Sequence, residues 1–277
     1  LNFDKWWPEF DNEFYFRAPY FLLPGAKKSG TTSLAMMLYQ HPLTQAARTK
    51  ELQFFMNKNF RTHFVNNVTR KTLVGPARQK MYDMDYKAVA LRSYPELISF
   101  DATPGYLFYS SMLPHRILCV APWVKLLVIL RNPVDRAYSN HAYAMRVTGM
   151  KMTFERYIQY DLMDLKNSGF LNATTEEEED EAWSRYLGMV TEGPIGRSIY
   201  FIQLRQWSRA IADVGRDPEG QIHIVRTEDM EKDEQGEYNK ALDFLGLPQV
   251  PLKREEHRVK SDYESDMKPE TRKMLEE

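Results

Sequence analysis

The chain has 277 residues, of which 43% are hydrophobic and 27% charged, a composition typical of a globular protein with one large core. A formal net charge of −1 gives no overall attraction to nucleic acid, so we expect no nucleic-acid partner. The single cysteine, Cys119, excludes an internal disulfide and a multi-cysteine zinc site, and we predict that its thiol is buried.

A predicted strand at residues 20–23 leads through a glycine-bearing turn into a predicted helix at residues 33–40. Glycine lets backbone N–H groups approach anionic oxygens closely, and the positive end of a helix favours negative charge. In an ATP-binding Walker loop the lysine directly follows the second glycine, whereas here Lys28 precedes Gly30 by two residues and Thr31 follows it. We therefore predict a phosphate-binding turn of another type. A tight turn that happens to contain lysines is the alternative.

Three further apolar runs predict strands, at residues 97–100, 125–131 and 221–226, with helical patterns between them. This alternation indicates an α/β fold. Residues 126–130 are apolar without alternation, so we expect them to form a central strand of a parallel sheet that helices cover on both faces. The prediction is a single α/β domain with a central parallel sheet flanked by helices.

Helical spacing of apolar residues predicts helices at residues 134–146 and 198–211. Thr175 and Glu178 form a capping-box pattern at the start of another helix, whose first turn is acidic. We interpret this acidic run as a solvated helix end, because adjacent acids on a helix point in different directions and suit a metal ion poorly.

The strand at residues 125–131 ends in Arg131, where a nucleoside triphosphatase commonly has the aspartate that holds magnesium. Arginine can donate two N–H groups to one phosphate, and the hydroxyl of Ser139, about two helical turns later, can donate to the same group. We predict that the two side chains bind a phosphate without a metal. A surface ion pair is the alternative for Arg131.

Two segments, residues 27–32 and 130–139, resemble the two motifs with which sulfotransferases bind PAPS, 3′-phosphoadenosine 5′-phosphosulfate. Residues 50–55 and 101–106 resemble segments of the Golgi carbohydrate sulfotransferases that act on heparan and chondroitin chains. The resemblance implies a P-loop-like nucleotide-binding core.

By the same resemblance, residues 1–277 form one sulfotransferase domain, with an N-terminal extension at residues 1–19 and a catalytic core at residues 20–272. A surface excursion near the acceptor site is one interpretation of the irregular region at residues 61–90.

The resemblance places Glu51 at the position of the general base, which takes the proton of an acceptor hydroxyl or amine. Lys28 matches the lysine that stabilises charge on the leaving phosphate oxygen. The alternative for Glu51 is a solvated glutamate before a strand.

The resemblance also implies the residues that bind the donor. Tyr200 has core packing as an equal alternative. The full set is Lys27, Lys28, Ser29, Gly30, Thr31, Thr32, Arg131, Ser139, Tyr200 and Lys260.

The expected activity is transfer of the sulfuryl group of PAPS to a hydroxyl or amine of a carbohydrate acceptor, with PAP as product and no metal. The alternatives are a small-metabolite or lipid acceptor and a non-catalytic nucleotide-binding scaffold. A P-loop kinase is disfavoured by the displaced lysine and the missing magnesium carboxylate. Basic residues near Glu51 could guide a polyanion, but we interpret them as a solvated face; they are Arg48, Lys50, Lys58 and Arg61.

Two sequons, at Asn67 and Asn172, fit a secretory lumen, so the Golgi lumen is the expected compartment and the cytoplasm the alternative. No apolar stretch reaches the roughly 18 residues that cross a bilayer. We expect any membrane anchor in a segment absent from this chain. The sequence carries no signal for a particular oligomeric state.

Overall fold

A computed structural model describes residues 19–56, 94, 96–119, 121–190, 192–253 and 267–276. Several sequence predictions lie outside these residues. They concern nearly all of the N-terminal extension at residues 1–19, the irregular region at residues 61–90, the sequon at Asn67, and Lys58, Arg61 and Lys260.

In the described chain, five parallel strands form one sheet in the order β2-β3-β1-β4-β5. The strands are β1 (Phe21–Leu22), β2 (Thr44–Ala46), β3 (Ile98–Asp101), β4 (Lys125–Leu130) and β5 (Ile222–Arg226). Phe21 of β1 aligns with Phe100 on one side and with Lys125 on the other. The predicted α/β fold with a parallel sheet is confirmed.

Helices follow β1, β3, β4 and β5, and helices pack on both faces of the sheet. Those of the described residues are α1 (Thr31–Tyr39), α2 (Gly105–Phe108), α3 (Leu113–Leu118), α4 (Pro133–Thr148), α5 (Phe154–Asn167), α6 (Glu176–Met189), α7 (Tyr200–Asp213), α8 (Pro218–Gln221), α9 (Thr227–Lys232), α10 (Glu234–Leu245) and α11 (Pro269–Glu276). No helix in this part of the chain is both long and apolar enough to span a bilayer.

The environment of strand β4 explains why its residues 126–130 are all apolar. Leu126 and Val128 pack into a buried cluster with Trp207 of α7. Leu127 and Ile129 face the other way, into a second cluster that contains residues of α1 and α10. Both faces of β4 are therefore in the core. The strand is interior, between β1 and β5, but the middle strand of the sheet is β1.

Local signals fix the starts of the helices. The side chain of Asn132 accepts hydrogen bonds from the N–H groups of Val134 and Asp135, and Pro133 occupies the first turn of α4. The predicted capping box of Thr175 and Glu178 is present at the start of α6.

Three details differ from the sequence predictions. Strand β2 has no counterpart among them, because an edge strand of three half-buried residues has no apolar run to mark it. The turn Phe54–Met56 that follows Glu51 is a 3-10 helix and not a strand. Cys119 is exposed, because it caps the carboxyl end of α3, whose Leu113, Ile117 and Leu118 fill the core instead.

Arg136 of α4 is fully buried, and its side chain forms hydrogen bonds with two neighbouring loops. Its Nε donates to the hydroxyl of Ser198 at 2.6 Å, one Nη donates to the carbonyl of Lys27 at 3.3 Å, and the other donates to the carbonyl of Pro194. Burial lowers the pKa of Arg136 to about 10, so the guanidinium is still charged at neutral pH. The glycine turn after β1 and the segment before α7 are thus held by one side chain.

We expect Arg136→Met to lower the free energy of unfolding by roughly 3 kcal/mol, because methionine fills the space but leaves two carbonyls and a hydroxyl without their donor. Urea denaturation followed by circular dichroism measures the change. Arg216→Met, at an exposed position, is the matched control and should stay within about 0.5 kcal/mol of wild type. Equal stability of the two variants would contradict the role of Arg136.

Candidate functional site

A cavity of about 770 Å³ opens at the edge of the sheet where the strands end. Because all five strands are parallel, their carboxyl ends meet at this edge, which is where open α/β sheets bind ligands. Each strand is followed by a residue that lines the cavity: Lys28 after β1, Glu51 after β2, Thr103 after β3, Arg131 after β4 and Thr227 after β5.

The cavity brings together most of the residues that the sequence predicts for the site. The predicted residues that line it are Lys27, Lys28, Gly30, Thr31, Thr32, Glu51, Arg131 and Ser139. Ser29 and Tyr200 do not line it, and Lys260 lies outside the described residues.

The glycine turn places helix α1 with its amino end at the cavity. Gly30, with φ 91°, precedes the helix in the left-handed conformation that favours glycine. The first bond of the helical ladder runs from Leu34 N–H to Gly30 C=O at 3.1 Å. The N–H groups of Thr31, Thr32 and Ser33 therefore have no acceptor within the helix, and these three residues line the cavity.

Ser29 differs from the other residues of the turn. Its N–H donates to the carbonyl of Ala26 at 3.1 Å, and its side chain is fully buried. Its carbonyl accepts a hydrogen bond of 2.8 Å from the hydroxyl of Thr227. The N–H group of Ser29, which we expect at a phosphate, thus closes the turn. Ser29 supports the loop from the protein interior.

Lys28 lies in a concentration of positive charge. Burial lowers its pKa, and the nearby charges of Arg146, Lys27 and Arg131 lower it further. The ammonium of Lys28 lies 4.7 Å from the ring centre of Tyr143, over the ring. Among the described residues no carboxylate pairs with Lys28, so this end of the cavity has uncompensated positive charge.

Lys27 has a different environment from its neighbour. Its ammonium forms an ion pair of 2.8 Å with the carboxylate of Glu192. It also lies 5.4 Å from the ring centre of Tyr143. Its charge is therefore partly neutralised within the protein.

Arg131 and Ser139 both reach the cavity from the chain that follows β4. Ser139 lies within α4, as predicted, and is 1% exposed. The phenol of Tyr200 donates to the carbonyl of Arg131 at 2.9 Å, and burial raises the pKa of that phenol. Tyr200 thus supports the turn after β4 through this hydrogen bond.

A buried carboxylate, Asp101, shapes the loop after β2. Its two oxygens accept hydrogen bonds from the hydroxyls of Thr103 at 2.6 Å and Tyr106 at 2.7 Å. Those hydroxyls accept in turn from the N–H groups of Gln53 at 3.1 Å and Phe55 at 3.2 Å. Burial and the charge of Asp101 raise the pKa of Tyr106 well above its usual value. The 50–55 segment is thereby fixed to the end of β3.

Glu51 lies at the start of this fixed loop. Its carboxylate forms an ion pair of 2.7 Å with Lys50, and its side chain is 45% exposed. The carboxylate is thus accessible from the cavity and lies within a loop of defined geometry. In the described residues no group of three or more His, Cys, Asp or Glu is arranged to hold a metal ion.

Several residues that line the cavity are absent from the predicted set, among them Thr103, Tyr143, Arg197 and Thr227. Thr227 directly follows a predicted strand, the same signal that identified Arg131, so it could have been found. Tyr143 and Arg197 carry no such signal, because only the packing of α4 against the segment before α7 places them at the cavity.

Comparisons with known proteins show the family of the chain. A family model described as a sulfotransferase domain matches residues 19–273. Human heparan sulfate glucosamine 3-O-sulfotransferase 6 is 26% identical over 235 residues, which cover 84% of this chain and 54% of that protein. The membrane-associated sulfotransferase kil1 of Dictyostelium discoideum is 23% identical, with coverage of 84% and 57%. The chain thus spans about half the length of these curated relatives.

A solved structure shares the fold. The sulfotransferase from Alicyclobacillus acidocaldarius superposes with a TM-score of 0.57, covering 93% of this chain and 89% of its own, at 22% sequence identity. The parallel sheet with helices on both faces is therefore the architecture of a known sulfotransferase.

We expect Thr103→Val to loosen the loop that carries Glu51, because valine keeps the shape but removes the hydroxyl that links Gln53 N–H to Asp101. Loss of a buried link of this kind costs about 1–2 kcal/mol. Amide hydrogen exchange should become roughly tenfold faster at Gln53 and stay unchanged in β4. Thr148→Val, at an exposed position on α4, is the control, and unchanged exchange at Gln53 would refute the link.

Proposed function

The chain belongs to the sulfotransferase family, whose members use PAPS as the sulfate donor, and we propose on that basis that it transfers a sulfuryl group to a carbohydrate. The donor would bind at the carboxyl edge of the sheet. The observation that carries the proposal is the uncompensated positive charge of Lys28 beside the free N–H groups at the start of α1.

The residues present fit the two ends of PAPS. Free amides and hydroxyls at Gly30, Thr31 and Thr32 offer donors for the 5′-phosphate, at the positive end of a helix. The guanidinium of Arg131 and the hydroxyl of Ser139 offer donors for the 3′-phosphate. Ser29 and Tyr200 would support these groups from the protein interior. Lys27 and Lys260 would contribute further positive charge to the binding of the donor.

Two side chains would perform the chemistry. PAPS supplies the activated sulfuryl group and becomes PAP. Glu51, whose side chain is accessible from the cavity, would accept the proton of the attacking hydroxyl or amine. The ammonium of Lys28 would stabilise the negative charge that develops on the phosphate oxygen. The cations of the cavity supply the positive charge that this step needs, so the proposal includes no metal.

A carbohydrate acceptor is favoured because heparan sulfate glucosamine 3-O-sulfotransferases are among the relatives. The proposed compartment is the Golgi lumen, and the exposed Asn172 of the second sequon is compatible with it. A small metabolite or lipid is the alternative acceptor, and the cytoplasm the alternative compartment.

We expect Glu51→Gln to lower sulfate transfer from radiolabelled PAPS by about 10²- to 10⁴-fold, because glutamine cannot accept the proton. Affinity for PAP, measured by calorimetry, should be unchanged. Glu219→Gln, at an exposed position remote from the cavity, is the control. The acceptor panel should contain heparan-derived saccharides, a phenol and a sterol.

PAP binding without turnover of any acceptor by the wild type would contradict the enzymatic proposal and favour a nucleotide-binding scaffold. Turnover of the phenol or sterol alone would contradict the carbohydrate assignment.

The affinity for PAP should fall as the pH rises, and the fall should begin at a lower pH than the deprotonation of an ordinary lysine, whose pKa is 10.5, would cause. The pKa of Lys28 is lowered, so its ammonium loses its proton, and its attraction for phosphate, at a lower pH than usual. The expected loss is about tenfold, measured by calorimetry. Lys28→Arg keeps the charge as the pH rises and should show a flatter profile, whereas identical profiles would contradict the role of Lys28.

A further inference from the structure

Arg197 is a nearly buried arginine in the wall of the cavity. It lies in the 3-10 turn Gly196–Ser198, just before α7, and is 7% exposed. It lines the cavity together with Gly105 and Tyr109, which belong to the chain after β3.

The guanidinium of Arg197 forms no ion pair with a carboxylate of the described residues. Its Nε donates to the carbonyl of Glu192 at 2.6 Å, while the carboxylate of Glu192 pairs with Lys27 instead. The two Nη groups donate to no protein oxygen in the described chain, and no carboxylate there lies within ion-pairing distance. Burial lowers the pKa of Arg197. A buried guanidinium is costly unless an anion compensates it, and the cavity is where an anion can enter.

The guanidinium is held in a fixed orientation. Its central carbon lies 4.0 Å from the ring centre of Phe108, over the ring. The neighbouring residues of the turn are anchored too, since Gly196 N–H donates to Asp161 at 3.0 Å and Ser198 accepts from Arg136. The Nη groups are therefore preorganised for an incoming ligand.

Arg197 reaches the cavity from the chain before α7, whereas Lys28 and Arg131 belong to the segments that follow β1 and β4. Arg197 stacks on Phe108, next to Tyr109, on the side of the cavity that the Glu51 loop and the chain after β3 share.

We propose that Arg197 binds an oxyanion carried by the acceptor, a carboxylate or a sulfate, and so selects anionic acceptors over neutral ones. Its planar fork can donate two parallel N–H groups to either anion. The inference rests on the proposed function, because it assumes that the nucleotide occupies the glycine turn and the acceptor the Glu51 side.

The test is calorimetry of three oligosaccharides against protein saturated with PAP and against PAP-free protein. The probes are an N-sulfated oligosaccharide prepared from O-desulfated heparin, its N-acetylated form, and the N-acetylated form with reduced carboxyl groups, which is neutral. The variants are Arg197→Met, which removes the charge, and Arg197→Lys, which keeps the charge but lacks the two parallel N–H donors of a guanidinium. Arg216→Met, at an exposed position, is the control.

Arg197→Met should weaken binding of the probe with the recognised anion by at least about tenfold, or 1.4 kcal/mol, and Arg197→Lys by less. A loss confined to the N-sulfated probe identifies sulfate, and a loss shared by both carboxylate-bearing probes identifies carboxylate. Binding of the neutral probe and of PAP should change less than about twofold.

Three results would overturn the inference: equal binding of all probes by Arg197→Met and wild type, an equal loss for the neutral probe, or an equal loss for PAP. The second result would mean a structural role, and the third a role in donor binding. Failure of the wild type to bind PAP would refute the proposed function separately, because the probes are also measured without PAP.

Discussion

The parallel direction of all five strands is the constraint on which the cavity depends. It sends the chain segments that follow β1 to β5 to the same edge, so that residues distant in sequence face one space. The amino end of α1 points there as well, with N–H groups that no helical carbonyl accepts. The N–H groups of the backbone therefore make the electrostatic potential at this edge positive. The side chains of Lys28, Arg131 and Arg197 make it more positive.

The two sides of the cavity are built by different means. On one side the glycine turn is held through main-chain contacts, from Ser29 N–H to Ala26 and from Arg136 to the carbonyl of Lys27. On the other side the Glu51 loop is held by side-chain hydroxyls on a buried carboxylate, Asp101. This division would suit a site in which the glycine-turn side binds a donor common to the family and the Glu51 side binds an acceptor that differs among its members.

The sequence predicted the fold class and much of the cavity because those features have local signals. Buried strands read as apolar runs, and the turn at Gly30 requires a left-handed conformation that glycine supplies. Strand β2 and the side chains of Tyr143 and Arg197 were missed because edge pairing and helix packing, which are not local, put them in place. Cys119 was placed wrongly, because hydrophobicity alone does not tell which side of a short helix a residue takes.

The hydrogen bonds of Arg136 to two of its partners depend on their backbone atoms, so these bonds tolerate substitution of the partner residues. Arg136 holds Lys27 and Pro194 by their carbonyl oxygens, and every residue type has that atom. Neither side chain takes part, so mutation of Lys27, which lines the cavity, can alter what the cavity recognises while its hydrogen bond to Arg136 persists. Arg136 itself cannot be replaced in this way, because no other side chain offers several donors in one fixed plane. A mutation of Arg136 would remove the hydrogen bonds to both segments at once.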